Sequence, residues 1–300
     1  MTDRILVTGW FSFEGMGATA GDLLCRDLLC DWLGTAGCEF DIATAAPFAG
    51  GVAWDEVDPA EYTHVVFVCG PFGNGWPITG LLERFRHCGL IGLNLTMLDR
   101  LENWDPFDLL LERDSNQTVR PDMTFLTKPQ RVPVVGVILA HRQKEYGARG
   151  RHDRANAAID RLLASREAAV VRIDTRLDEN GTGLQTPAEV ESLIARMDVV
   201  VTTRLHGSVL ALKSGVPAVT IDPIAGGAKV RRQMDAIGWP VCFLAESMSD
   251  GELQAAFDYC LTPEARERAR QCRDRARDIL SELQSRLMEV LQPIEQRVEV

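Results

Sequence analysis

The amino-acid sequence predicts an α/β protein made of two Rossmann-like, doubly wound domains. Three observations lead to that reading. Short apolar runs alternate with longer stretches of helical periodicity, the pattern of β-α-β units and a mostly parallel sheet. The stretch from Asp114 to Pro133 breaks the alternation, with Pro121, Pro129 and Pro133 set among polar residues. A second alternating series then begins. The boundary therefore falls near Lys128 to Arg131, giving domains 1–130 and 131–300.

In the first series, Arg4 to Thr8 reads as a strand, followed by a glycine-rich turn from Gly9 to Gly21 and a helix from Asp22 to about Leu33. Phe40 to Ala45, His64 to Cys69 (closed by Gly70-Pro71) and Leu90 to Asn94 read as further strands. In the second series, Val134 to Leu139 is a buried strand, and Asp153 to Ser165 a helix with Ala155, Ala158, Leu162 and Leu163 on one face. Ala168 to Ile173 is a strand. Thr186-Pro187-Ala188-Glu189 is a helix start: Thr186 caps, Pro187 takes the first helical position, and Glu189 stands three residues after the cap. That helix runs to Arg196. A strand from Asp198 to Thr202, a helix from Gly207 to Ser214 stopped by Gly215, and a strand from Pro217 to Ile221 follow. From Thr262 to about Leu291 a long charged amphipathic helix carries Ile279, Leu280, Leu283, Leu287 and Val290 at helical spacing, and reads as a packing helix that closes the fold.

With 46% hydrophobic and 25% charged residues the composition is that of a globular chain. The formal charge of −11 argues against nonspecific binding to nucleic acid or to an anionic membrane. No apolar run approaches the roughly 18 residues of a membrane span. Met1-Thr2-Asp3-Arg4 leads into Ile5-Leu6-Val7 without the pattern of a signal peptide. The eight cysteines are scattered and none has C-x-x-C spacing, which fits small apolar thiols in a reducing cytoplasm. The histidines are dispersed and no Asp/Glu cluster matches a calcium loop, so no metal is expected. A G-x-S-x-G elbow is absent.

Ligands of parallel sheets bind beyond the carboxyl ends of the strands, where helix amino termini gather. Thr203-Arg204-Leu205-His206-Gly207 follows a strand and opens a helix, so Arg204 can fork onto a phosphate or carboxylate and His206 can exchange protons near neutral pH. Arg142, directly after the first strand of the second domain, would emerge at the same sheet edge and complete an anion clamp, within a basic stretch that also holds Lys144, Arg149, Arg151 and Arg154. The loop Gly9-Trp10-Phe11-Ser12-Phe13-Glu14-Gly15-Met16-Gly17 is a candidate ligand-facing loop: Gly9, Gly15 and Gly17 allow close backbone approach, and Trp10 offers an aromatic face. It matches neither G-x-G-x-x-G nor a P-loop. Lys229, after the Pro217 to Ile221 strand, is a further candidate cation.

Asp198-Val-Val-Val-Thr-Thr-Arg204-Leu205-His206-Gly207, followed by Leu210-Ala-Leu-Lys-Ser-Gly215-Val216-Pro217, resembles the signature of the polysaccharide pyruvyl transferase family. Gly9 to Asp22 resembles the amino-terminal loop of that family, with its usual Asn-x-Gly-Asp not intact, and Arg113-Asp114 and Pro121-Asp122 echo an Arg-Asp and a Pro-Asp of its middle region. The resemblance implies a GT-B-like fold, two domains facing a cleft, with the acceptor on the amino-terminal domain and the donor on the carboxyl-terminal one. It implies transfer of a carboxyethylidene group from phosphoenolpyruvate, a co-substrate rather than a cofactor, to a sugar, a glycan or a carrier-linked saccharide. A lipid-linked acceptor would add peripheral contact with a membrane. The family's donor-site residues correspond here to Arg142, Arg204, Leu205 and His206. The residues by themselves leave two other readings open. One is a nucleotide-sugar glycosyltransferase, whose cations face a diphosphate. The other is a noncatalytic sugar- or phosphate-binding protein, which the altered Gly9 to Asp22 loop keeps in view.

Overall fold

The computed structural model describes residues 3–142 and 144–291; Met1, Thr2, Gln143 and residues 292–300 lie outside that description. The chain divides between Gln130 and Arg131 into two units. The first holds β1 (Arg4–Thr8), α1 (Ala20–Thr35), β2 (Glu39–Ile42), β3 (His64–Phe72), α2 (Ile78–Arg84), β4 (Gly89–Met97) and β5 (Leu109–Leu111). The second holds β6 (Val134–Ile138), α3 (His152–Ala164), β7 (Ala169–Arg172), α4 (Pro187–Ile194), β8 (Val199–Thr202), α5 (Leu205–Lys213), β9 (Ala218–Asp222), α6 (Lys229–Ile237), β10 (Cys242–Leu244), α7 (Asp250–Cys260), α8 (Pro263–Leu280) and α9 (Leu283–Leu291). Among the described residues no helix is long and apolar enough to cross a membrane.

Each unit is a five-stranded parallel sheet, in the orders β2-β1-β3-β4-β5 and β10-β9-β8-β6-β7. The central strands are buried on both faces, which is why they read as unbroken Val, Ile and Leu runs. In the first unit Phe67 and Leu95 pack with Phe13, Phe72, Ile78 and Leu81 on one face, while Val7, Val66 and Val68 pack with Phe11, Cys25 and Leu29 on the other. In the second, α3 and α7 cover one face through Ile159, Leu162, Leu253 and Phe257, and α4 and α5 cover the other through Ile194 and Ala211. Both sheets have the same order when each is numbered from its own first strand. The direction of winding reverses beside that strand, between β1 and β3 and between β6 and β8, and there the strand ends part to leave a crevice.

The structure departs from the sequence reading in particular places. β3 does not stop at Gly70-Pro71 but continues to Phe72. Sequence reading did not find α2, β5, α6, β10 and α7. In α6 Val230, Met234 and Ile237 stand at helical spacing (i, i+4, i+7), a period that sequence reading passed over, and Lys229 is its first residue. The tail is two helices. Ser281 ends α8 by donating from Oγ to the Asp278 carbonyl at 2.7 Å, a local bond that competes with helix continuation. The packing face of α8 is Ala265, Ala269 and Cys272, whereas Ile279, Leu280, Leu283, Leu287 and Val290 are all more than half exposed. Their spacing described a helix face that no surface among the described residues covers.

One glycine fixes the geometry at the reversal in the second unit. A Cβ on Gly207, in the first turn of α5, would stand 2.4 Å from Thr202 Oγ1 and 2.9 Å from Ile138 Cγ2. Only glycine lets the helix begin this close to β6 and β8. Gly207→Ala should lower the unfolding free energy by about 1–3 kcal/mol, read from urea denaturation; an unchanged midpoint would show that the contact relaxes freely.

Candidate active site

A cavity of about 160 Å³ opens at the reversal between β6 and β8. Ala140 lines it after β6, Arg204, Leu205 and His206 after β8, Asp222 at the end of β9, and Lys229 at the start of α6. Two threonines lace the strand ends. Thr202 Oγ1 donates to the Ile138 carbonyl at 2.8 Å and accepts the Arg204 N–H at 3.0 Å, while Thr203 Oγ1 accepts the Ala140 N–H at 2.8 Å. These bonds set the point at which Arg204 leaves the sheet.

Arg204 is the N-cap of α5 in extended conformation, and no side chain caps the helix. Among the described residues nothing accepts the backbone N–H groups of Leu205, His206 and Gly207. The positive end of the helix is thus open at the cavity. The neighbouring helix is the opposite case. The fully buried Asp222 carboxylate accepts the N–H groups of Ile224, Ala228 and Arg231 at 3.0, 2.7 and 3.0 Å, which closes the start of α6. Lys229 keeps its ammonium 5.9 Å from the Tyr146 ring centroid, and the exposed His206 makes no side-chain hydrogen bond among the described residues.

Arg204 is oriented by a carboxylate that sequence reading missed. Its Nη1 lies 3.0 Å from Asp174 Oδ1, both side chains being largely buried, and Asp174 Oδ2 lies 3.4 Å from His141 Nε2. Burial works against the Asp174 charge, but the N–H groups of Arg176 and Gly181, together with His141 and Arg204, outweigh it and hold the carboxyl below its ordinary range. Arg142 is not beside Arg204. It pairs with Asp153 and lines a separate cavity of about 290 Å³ with Lys144 and His152. Arg149 and Arg151 are tied to backbone: Arg149 to the carbonyls of Ala225 and Gly227, Arg151 to those of Ala148 and Gly150.

The first unit has its own cavity at the reversal between β1 and β3, about 440 Å³, where Trp10, Gly17, Asp22, Cys69, Arg113 and Asp122 meet. Trp10 Nε1 donates to the Pro71 carbonyl at 2.9 Å, and its ring lies where a Cβ on Gly70 would be, 2.3 Å from Cδ1. Gly9 and Gly15 do not line this cavity. Gly9 is needed because a Cβ would stand 2.8 Å from the Val68 carbonyl oxygen, and Gly15 turns the loop at φ +68°. Asp22 Oδ2 accepts the N–H and the hydroxyl of Thr19, both at 2.7 Å, in the first turn of α1. Cys69 and Cys25 lie against Asn94, whose Nδ2 is 3.6 and 3.5 Å from their sulfurs; the bond from Cys25 lowers the Cys69 thiol and pushes Cys25 up. Arg113 and Asp122 meet at 2.9 Å. Among the described residues no three His, Cys, Asp or Glu side chains gather to hold a metal ion.

Burial opposes ionisation of Asp122, yet the Thr124 N–H, Arg113 and Asn94 prevail and hold it at about 2, below the ordinary 3.8. A depressed carboxyl stabilises the fold above its unfolded value and loses that contribution as pH falls through the folded one. Asp122→Asn should therefore be less stable than the parent by about 2 kcal/mol at neutral pH. The two should converge between roughly pH 4 and pH 2 in acid titrations followed by circular dichroism. A gap independent of pH would remove Asp122 from the account.

Residues 109–223 match the family model of polysaccharide pyruvyl transferase. Comparison with curated proteins gives no match. Among solved structures, the chain is similar to the glycotransferase of kitacinnamycin, at 12% identity over 97% of this chain and 99% of that one with a TM-score of 0.37. It is similar to the spinosyn forosaminyltransferase SpnP, at 13% identity over 94% and 98% with a TM-score of 0.33. It is also similar to the UDP-GlcNAc 2-epimerase of Methanocaldococcus jannaschii in complex with UDP-GlcNAc and UDP, at 10% identity over 94% and 100% with a TM-score of 0.32. From β5 to the residue after β9, a stretch that contains Arg113, Asp122, Arg142 and Arg204-Leu205-His206, the chain matches the polysaccharide pyruvyl transferase family.

Proposed function

We propose that the chain transfers a pyruvyl (carboxyethylidene) group from phosphoenolpyruvate to hydroxyls of a sugar, a glycan or a carrier-linked saccharide, forming a pyruvate ketal. The observation that carries this reading is the open amino terminus of α5 in one cavity with Arg204, His206 and Lys229; Arg204, His206 and the start of α5 lie within the stretch that matches the family, and Lys229 lies six residues beyond it. Free N–H groups, a guanidinium and an ammonium suit a donor with two anionic groups. Asp174 holds the Arg204 side chain in place before the donor arrives.

A proton adds to the methylene carbon of the donor and leaves an oxocarbenium-like centre; a sugar hydroxyl attacks it and loses its proton. The C–O bond to phosphate then breaks, and a second hydroxyl closes the ketal and loses its proton. One of the two hydroxyl protons replaces the one taken up by the methyl group and the other leaves on phosphate. His206 carries the proton to the methylene or to the departing phosphate. Arg204, Lys229 and the α5 N–H groups stabilise the charge that develops on phosphate. Leu205 supplies a backbone N–H and an apolar wall. No cofactor is needed in this reading, because the donor provides both the carbon unit and the leaving group. Acceptor hydroxyls are assigned to the first-unit cavity, where Trp10 offers a ring face and Asp22 and Asp122 offer carboxylate oxygens.

Arg204→Ala should reduce phosphate release from phosphoenolpyruvate by roughly 10²–10³-fold, with weakened donor binding by calorimetry; unchanged turnover would sink the assignment. Trp10→Ala should raise the KM for the acceptor and leave donor affinity in place. A loss confined to the donor would move the acceptor elsewhere.

A further inference from the structure

We propose that Cys25 and Cys69 form a peroxide-sensitive thiol pair at the first-unit cavity and close to a disulfide on oxidation. The site stands whether or not this cavity takes the acceptor.

Three observations set the pair apart from the other cysteines. The first is contact. The fully buried Cys25 comes from α1, and Cys69 comes from the carboxyl end of β3. Their thiols hydrogen-bond each other, and Asn94 Nδ2 lies 3.5 Å from the Cys25 sulfur and 3.6 Å from the Cys69 sulfur. The second is the cavity. Cys69 lines it together with Asp22, Arg113 and Asp122 and keeps 4% of its surface exposed. Hydrogen peroxide, little larger than water, is the oxidant suited to so narrow an approach. The third is the backbone. Among the described residues, Cys69 and Asn94 are the two non-glycine residues with positive φ, at +66° and +57°. They stand opposite each other on β3 and β4, because Val68 pairs with Leu93 and Gly70 with Leu95. Side chains rarely adopt that conformation, and surrounding structure must hold it. Here it brings the amide of Asn94 onto both sulfurs.

The contact divides the roles. The bond from Cys25 holds the Cys69 thiol below its ordinary value, against burial and the charges of Asp22 and Asp122, and pushes Cys25 up. Cys69 is thus the nucleophile and Cys25 keeps its proton. Cys260 is the inert case, where burial alone pushes the thiol up to about 12. The Cys69 sulfur attacks peroxide, breaks the O–O bond and keeps one oxygen as sulfenic acid, while the other leaves as water. Cys25 then attacks Cys69. The S–S bond forms, and the hydroxide that leaves takes up the Cys25 proton as a second water. The thiols together lose two electrons, which reduce one peroxide. A thiol reductant reverses the bond by exchange. The disulfide joins α1 to the residue before Gly70, beside the Trp10 ring, so oxidation changes the wall of the cavity.

The test treats the reduced full chain with a slight molar excess of hydrogen peroxide, alkylates the remaining thiols and maps the products by mass spectrometry. The expected product is a Cys25–Cys69 disulfide, formed roughly tenfold faster than any oxidation of the exposed Cys38 or the half-buried Cys30 and Cys88. Dithiothreitol should reverse it, and urea should abolish the preference, since the fold creates it. Cys25→Ser should stop Cys69 at the sulfenic acid, trapped by dimedone, and Cys69→Ser should leave Cys25 reduced. Recovery of Cys25 and Cys69 as alkylated thiols while Cys38, Cys30 or Cys88 oxidises overturns the pair. So does a disulfide that joins either of them to another cysteine. Mapping of the unaltered chain decides the matter without relying on the folding of either variant. No arm reads turnover of phosphoenolpyruvate, so failure of the transfer reading remains separate.

Discussion

The closeness with which α5 begins against the sheet governs the chemistry of the second unit. Gly207 has no Cβ to strike Thr202 and Ile138, so the helix starts directly after Thr203-Arg204 and at the carboxyl ends of β6 and β8. Because Arg204 takes the N-cap place and does not itself cap, the first N–H groups stay open. Because Thr202 is bonded back to Ile138 at the end of β6 and Thr203 to Ala140 just beyond it, the position of Arg204 is set by the end of the sheet. A larger residue at 207 would press on Thr202 and Ile138 and displace the start of α5, with the N–H groups it presents to the cavity.

The two units share a strand order but not a chemistry. In both, a cavity lies where the winding reverses, as geometry requires of doubly wound sheets. In the first unit the helix after the first strand has a carboxylate, Asp22, in its opening turn, bonded to the Thr19 N–H. With Asp122 beside Arg113 and the Trp10 ring nearby, that cavity offers acceptor oxygens and an aromatic face. In the second unit the corresponding cavity offers donors and positive charge. A single architectural rule thus yields one site suited to hydroxyl groups and one suited to anions, and the difference resides in which residues open the helices.

Much of this was legible in the sequence, for identifiable reasons. The Thr186 capping box with Pro187 and Glu189 is local, and the structure has it: the Thr186 hydroxyl accepts the Glu189 N–H at 3.2 Å and Glu189 accepts the Thr186 N–H at 3.1 Å. Arg204 and His206 stood out because a strand pattern placed them at a sheet edge. Asp174 did not, because its pairing with Arg204 depends on the loop after β7 folding beside β8, a contact thirty residues apart in sequence. Arg142 was placed at the correct edge, yet edge position does not decide which cavity a long side chain joins. The tail shows the same limit. A 3.6-residue period gives a helix face, but whether a surface covers it is a tertiary fact, and the exposed Leu283, Leu287 and Val290 show that the described residues provide none.

The most direct measurement is a crystal structure of the chain with phosphoenolpyruvate bound. An anionic group of the donor should lie about 3 Å from the N–H groups of Leu205, His206 or Gly207, with Arg204 in contact and still paired to Asp174. A donor bound away from α5, or none bound at concentrations that saturate turnover, would contradict the assignment of this cavity.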